Sequence, residues 1–87
     1  MKVSNMKSSN GNKVPNQFYL TDNDGNDYFQ SYNSLIAKRS KGQIYLDEYF
    51  WNYSRTTAKY RNQFLNETTK ETERKINDGT YTLINLN

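Results

Sequence analysis

The segment Tyr49–Leu65 constrains the fold most, because it holds the only tryptophan, the densest run of aromatic residues and a change in apolar periodicity. Before it, apolar residues form short runs flanked by turn-forming residues, as is typical of β-strands. After Tyr53, apolar residues recur at helical spacing. The sequence therefore predicts strands first and helices afterwards, with the aromatic residues of this segment joining the two.

Two helices are predicted from capping residues. Ser54 is a good N-cap residue and opens a helix over Arg55–Leu65. Thr68 and Glu71 have the spacing of a capping box, which predicts a second helix over Thr69–Asn77. The pair Asp78-Gly79, which follows this second helix, is predicted to end it.

Four strands are predicted before the helices and one after them. An Asp-Gly pair lies between aromatic runs at residues 22–27, which indicates a hairpin, and Gly42 suits a short turn between two further strands. These patterns predict an α+β fold, a small antiparallel sheet in the order β-β-β-β-α-α-β with two helices packed on one face. The predicted strands are Phe18–Thr21, Tyr28–Tyr32, Ser34–Lys38, Gln43–Asp47 and Thr80–Leu86.

Residues 1–17 are predicted to be a flexible N-terminal tail, and residues 18–87 a single α+β domain. The tail is rich in Asn, Ser, Lys and Gly, and offers little apolar surface to offset the entropy of ordering. Its lysines, Lys2, Lys7 and Lys13, also permit a basic arm that lies along a phosphate backbone.

The composition excludes several kinds of chemistry. With no cysteine and no histidine, the chain lacks thiolate ligands, a cysteine nucleophile and the commonest general base. No activating base accompanies the scattered hydroxyls and carboxylates, so we expect no catalytic residue, metal site or cofactor and therefore no enzyme. No apolar run approaches a membrane span, and we expect a cytoplasmic protein.

Candidate contact residues come from the exposed side of the first helix and from a hairpin tip. The net charge of +3 arises from the first seventeen residues, so the rest of the chain is neutral but has segregated charges. Arginine, lysine and asparagine side chains hold phosphates and read base edges. The predicted partner-binding residues are Arg55, Lys59 and Asn62 on the helix, Arg39 and Lys41 at the tip, and Tyr49.

Arg61 is the exception on the apolar side of the first helix. We expect its stem to pack in the core while its guanidinium pairs with Asp47 or Glu48. Because the chain has about as many aromatic residues as large aliphatic ones, aromatic residues must build much of the core, and Phe50 and Trp51 are predicted to be core residues.

The body of the chain also resembles a family of small proteins from phages and mobile elements of low-GC Gram-positive bacteria. The resemblance lies in Ser31–Ala37, Ile44–Leu46, Trp51–Thr57 and Gln63–Leu65. It implies an accessory protein that binds one host factor and blocks it, as anti-CRISPR inhibitors do with a Cas nuclease or its RNA complex.

The leading functional hypothesis is accordingly a non-enzymatic phage or mobile-element protein that binds and inhibits a host factor such as a Cas effector. The alternative is a small nucleic-acid-binding regulator that uses helix 54–65, and a third class is a structural phage component. Nucleic acid is thus a possible partner, a membrane is not, and the oligomeric state is left open.

Overall fold

A computed structural model describes residues 1–87 and contains one six-stranded sheet and two helices, which confirms the α+β class. Both helices have the predicted bounds. The elements are β1 (Lys2–Lys7), β2 (Lys13–Thr21), β3 (Asp27–Ser31), β4 (Ser34–Ser40), β5 (Gln43–Asp47), α1 (Arg55–Leu65), α2 (Thr69–Asn77) and β6 (Thr82–Ile84).

The strands lie in the sheet in chain order, from β1 at one edge to β6 at the other. Consecutive strands from β1 to β5 are antiparallel, as predicted. In contrast, β6 pairs with β5 in parallel. The reason is the helical connection, which carries the chain back along the sheet before β6 begins. The sheet is therefore mostly antiparallel, with one parallel pair at its edge.

Residues 1–17 are not a tail outside the sheet, so this prediction is wrong. Residues 2–7 form β1, which pairs with β2 from Lys2 opposite Thr21 to Lys7 opposite Lys13. Met6 is only 7% exposed and belongs to the core. Strand pairing uses backbone groups that every residue has, and one buried methionine supplies the apolar anchor.

The core lies between α1 and one face of the sheet. The cross-strand row Tyr19, Phe29, Ala37 and Leu46 runs under the helices. Phe64 of α1 packs on this row, with its ring centroid 6.2 Å from that of Phe29 and 5.8 Å from that of Tyr19. Aromatic residues therefore form much of this core, as the composition predicted.

Local hydrogen bonds fix both helix starts. The Ser54 hydroxyl accepts the Thr57 backbone N–H at 3.1 Å, and α1 ends at Asn66 in the left-handed conformation. Thr68 and Glu71 form the predicted capping box of α2. Such caps satisfy backbone groups that the first and last helical turns leave free. Neither helix is long and apolar enough to cross a membrane.

Candidate partner-binding surface

The turn after β5 positions the first predicted contact residue. Asp47 is fully buried, and its Oδ2 accepts the backbone N–H groups of Tyr49 and Phe50 at 3.1 and 2.9 Å. Its Oδ1 accepts Leu86 N–H at 2.8 Å and Asn87 Nδ2 at 3.0 Å, so the turn is tied to the C-terminus. Burial opposes ionisation of Asp47, but these hydrogen bonds outweigh it and lower its pKa.

Tyr49 lies on the surface with its backbone held in this turn. Its side chain is 73% exposed, which makes it the most exposed large aromatic residue of the chain. Tyr53 follows in the same loop and is 47% exposed, while its ring meets Phe50 edge-on with centroids 5.6 Å apart. Trp51 and Phe50 are half-buried against the core, in line with the prediction for them. Tyr53 is the exposed aromatic residue that sequence reasoning did not select.

Arg55 and Lys59 are exposed on the outer side of α1, one helical turn apart. Neither forms an ion pair, since the structure has only two, Arg39 with Asp27 and Lys75 with Glu67. The Lys59 ammonium lies 5.4 Å from the Tyr60 ring centroid, a contact that leaves the cation accessible to solvent. We name Tyr49, Tyr53, Arg55 and Lys59 the α1 surface.

Asn62 lies next to these residues on α1, but its amide is already used within the protein. It is half-buried, its Oδ1 accepts a hydrogen bond from Arg61 Nη2 at 2.9 Å, and its Nδ2 donates to Thr69 Oγ1 at 3.2 Å. An amide with both ends bonded has little left for a partner. The predicted stripe therefore contracts to Arg55 and Lys59.

Arg39 contacts α1 and is not part of the exposed turn that holds Lys41. Its Nη2 donates to the Phe64 carbonyl at 2.7 Å, its Nη1 pairs with Asp27 at 3.3 Å, and its guanidinium carbon lies 4.4 Å from the Phe64 ring centroid. Arg39 thus caps the C-terminus of α1. Lys41 is exposed at the β4–β5 turn, where Lys41 and Gly42 both have positive φ. Only Lys41 remains at the predicted hairpin tip.

The expected pairing of Arg61 with Asp47 or Glu48 is wrong. Arg61 is fully buried and forms no ion pair. It donates to four neutral acceptors at 2.6 to 2.9 Å, which are Trp51 O, Asn52 Oδ1, Asn62 Oδ1 and Thr69 Oγ1. Asp47 is unavailable because backbone and amide groups occupy both of its oxygens.

Desolvation dominates the electrostatics of Arg61. Burial lowers the pKa of its guanidinium, while Glu67 and Glu73 act in the opposite direction. The guanidinium carbon lies 5.1 Å from the Trp51 ring. Arg61 therefore joins α1, the preceding loop and the start of α2, and it contributes no surface charge.

Sequence reasoning missed a cluster of hydrogen bonds around one buried carboxylate, Glu67, just before α2. The Glu67 side chain is 3% exposed, and its Oε1 accepts Lys75 Nζ at 2.7 Å and the Tyr81 hydroxyl at 2.6 Å. Its Oε2 accepts the Thr72 hydroxyl. Burial raises and these hydrogen bonds lower the pKa of Glu67, with a net lowering. All of its partners are internal, so the cluster attaches α2 and the segment before β6.

Comparison with known proteins gives a family and no activity. The model of a family of unknown function, DUF8033, matches residues 1–79, a span that includes every element except β6. No curated protein and no solved structure matches the chain significantly.

Proposed function

The chain belongs to the DUF8033 family, and we propose that it is a non-enzymatic accessory protein that binds and inhibits a host protein. The α1 surface supports this proposal, because within residues 49–59 it combines two exposed tyrosines with two exposed cations that have no carboxylate partner. Tyrosine and arginine are enriched among the residues that dominate binding energy at protein interfaces. The observation that carries the proposal is this group of exposed aromatic and unpaired cationic side chains in one short segment.

A bacterial defence protein is the class of partner that we propose. The resemblance of the chain to phage and mobile-element proteins supports a Cas nuclease or its RNA complex, in the cytoplasm of the host. A cationic and aromatic surface suits a partner with acidic side chains or bound RNA at its rim. In this proposal the protein inhibits its partner by covering part of the partner's surface, which requires no catalytic group.

The test is a cleavage assay. A purified Cas nuclease loaded with guide RNA is titrated with this protein, and we expect target cleavage to stop near equimolar protein. Arg55→Ala with Lys59→Ala should weaken inhibition by roughly 30-fold, the size expected for a binding hot spot. Lys70→Ala with Arg74→Ala on α2 is the matched control and should inhibit like the wild type.

Two results contradict the proposal. One is failure to inhibit any of a panel of Cas effectors combined with failure to retain a stoichiometric protein from a Gram-positive lysate. The other is a double variant, Arg55→Ala with Lys59→Ala, that binds and inhibits the partner as strongly as the wild type does.

A nucleic-acid-binding regulator that uses helix 54–65 is the second candidate. The unpaired Arg55 and Lys59 favour it, whereas the commitment of Asn62 to internal bonds removes its base-reading amide. Such a regulator should shift duplex DNA at about 50 mM salt and lose the shift at higher salt. Absence of a shift, or a shift unaffected by Arg55→Ala with Lys59→Ala, rules it out.

A further inference from the structure

The helices cover one face of the sheet, and the other face carries aromatic residues and lysines. The cross-strand row Leu20, Tyr28, Lys38 and Tyr45 is one residue out of phase with the core row under α1. Side chains of neighbouring residues in a strand point to opposite faces. No member of this row belongs to the hydrophobic cluster that packs on the helices, although Leu20 itself is buried and only 8% exposed. We name this side of the sheet the open face.

Two of its aromatic residues lie on the strands that flank a lysine. Tyr28 on β3 and Tyr45 on β5 both lie directly opposite Lys38 on β4. The two tyrosines are therefore two strand spacings apart, about 10 Å. The Lys38 ammonium lies 5.7 Å from the Tyr28 ring centroid. Phe18 lies on the same face of β2 in the adjacent row, opposite Gln30, and all three rings are half-buried and so partly accessible.

Two more lysines join this face at the end of the β1–β2 hairpin. Val14 packs against the core, so Lys13 before it points to the open face. Lys7 is directly opposite Lys13 in the register. Neither forms an ion pair. Like charges directly opposite each other destabilise a strand pair, and a bound anion relieves that repulsion.

The strand carboxylates do not neutralise these lysines. Asp27 pairs with Arg39, and Asp47 is buried under its own hydrogen bonds. Asp22, at the far turn, accepts hydrogen bonds from its own turn and from the Tyr28 hydroxyl. Aromatic residues on exposed strand positions also follow from β-propensity alone, but an unneutralised lysine pair does not. The charge of the open face thus complements a polyanion.

We propose that the open face binds single-stranded nucleic acid. Phe18, Tyr28 and Tyr45 stack on bases, and the lysines Lys7, Lys13 and Lys38 contact phosphates. Stacking on a sheet needs bases with free faces, which a duplex does not offer, and cationic grooves with aromatic platforms bind single strands with little sequence preference. The inference goes beyond the proposed function, because it concerns the opposite side of the sheet from the α1 surface.

The test is fluorescence anisotropy of labelled oligothymidylate and oligouridylate of about 16 nucleotides. We expect both to bind at about 50 mM salt and to bind roughly 20-fold more weakly at about 200 mM, as three phosphate contacts predict. A clear preference for one of the two identifies DNA or RNA as the natural class. Equal affinity supports recognition of the stacked bases and phosphates that both share.

Substitutions locate the binding site. Tyr45→Ala should weaken binding about 5-fold to 150-fold, the effect of losing one stacked base, whereas Tyr45→Phe should retain binding. The double variant Lys7→Gln with Lys13→Gln should weaken oligonucleotide binding and reduce its salt dependence. If Tyr45→Ala does not fold, this double variant tests the binding site in its place. Tyr49→Ala and Arg55→Ala, on the α1 surface, are the controls and should bind like the wild type.

The inference is overturned if neither oligonucleotide binds at the lower salt concentration. It is also overturned if a duplex of the same length binds as tightly, or if the α1 controls weaken binding as much as the open-face variants. A wild-type protein that binds no oligonucleotide but still inhibits a Cas effector overturns this inference alone, since the α1 surface is tested separately.

Discussion

Arg61 shows how a buried charge persists here without a counter-ion. Its Nη atoms donate to carbonyl, amide and hydroxyl oxygens from three parts of the chain. A guanidinium presents its donors in a fixed planar arrangement, which suits several acceptors at once. Removing it leaves the half-buried acceptors on Trp51 and Thr69 without their donor, and a polar group left unsatisfied costs more than the original hydrogen bond gained.

We therefore expect Arg61→Ala to lower the free energy of unfolding by about 3 kcal/mol. Arg61→Lys should also destabilise, since an ammonium cannot span the same acceptors. Urea unfolding followed by Trp51 fluorescence measures both. Arg55→Ala is the exposed control and should stay within about 0.5 kcal/mol of the wild type. Equal stabilities for Arg61→Ala and Arg55→Ala would contradict a structural role for Arg61.

Asp47 makes stability depend on pH. Its folded pKa lies below the ordinary value of about 4, so its ionised form stabilises the fold above that pH. This contribution is lost as the pH falls below about 4 through the folded pKa. Asp47→Asn should cost about 2 kcal/mol at neutral pH and flatten part of the acid transition.

The acid transition should be flattened only in part, because three other carboxylates, Asp22, Glu67 and Asp78, also have lowered pKa values. Hydrogen bonds from Asn26 lower the pKa of Asp22 to about 2, and Glu67 also has a lowered pKa. Circular dichroism during acid titration compares the unfolding profiles of the wild type and of Asp47→Asn. An acid profile of Asp47→Asn parallel to that of the wild type would show that Asp47 is not the group responsible.

At the scale of elements, α2 depends on Glu67 more than on apolar packing. Thr72 is its only buried residue, and Ile76 its only apolar contact with the core. The Glu67 carboxylate holds Lys75 from α2 and Tyr81 from the segment after it. Replacing Glu67 removes a charge-assisted hydrogen bond from Lys75 and another from Tyr81.

Glu67→Gln should accordingly increase amide hydrogen exchange across residues 69–77 while α1 and the central strands stay protected. Exchange mass spectrometry resolves these segments. Glu73→Gln, an exposed substitution on the same helix, should leave exchange unchanged. Similar exchange in both variants would show that α2 is held by other contacts.

Prediction from the sequence succeeded where the determinants are local. The helix bounds follow from Ser54 and from the capping box at Thr68, which involve residues three apart. The roles of Arg39 and Asn62 could not be read in this way, because their partners depend on how α1 lies on the sheet and how α2 begins. The open face needs the register of five strands, which periodicity alone does not give.

At the scale of the whole molecule, the first strand is the largest departure from the sequence-based prediction. Its low apolar content suggested disorder, but β2 offers it a pairing edge and Met6 reaches the core. The free energy of unfolding of a small domain is low, so the contacts of an edge strand are a large fraction of it.

Removal of residues 1–12 should therefore lower the melting temperature by roughly 10 °C, through loss of β1 and of the Met6 contacts. Differential scanning calorimetry measures the change. Met6→Ala in the full chain should reproduce part of it. A truncated protein that melts at the temperature of the full chain would behave as though residues 1–12 were a tail, and would contradict the pairing of β1.

We thus propose different partners for the two sides of the molecule, protein at the α1 surface and single-stranded nucleic acid at the open face. NMR of tyrosine ring signals in the selectively labelled protein tests this division most directly, with oligothymidylate as the titrant. We predict shifts for Tyr28 and Tyr45 and unchanged signals for Tyr49 and Tyr53. Shifts confined to Tyr49 and Tyr53, or no shift in any tyrosine, would contradict it.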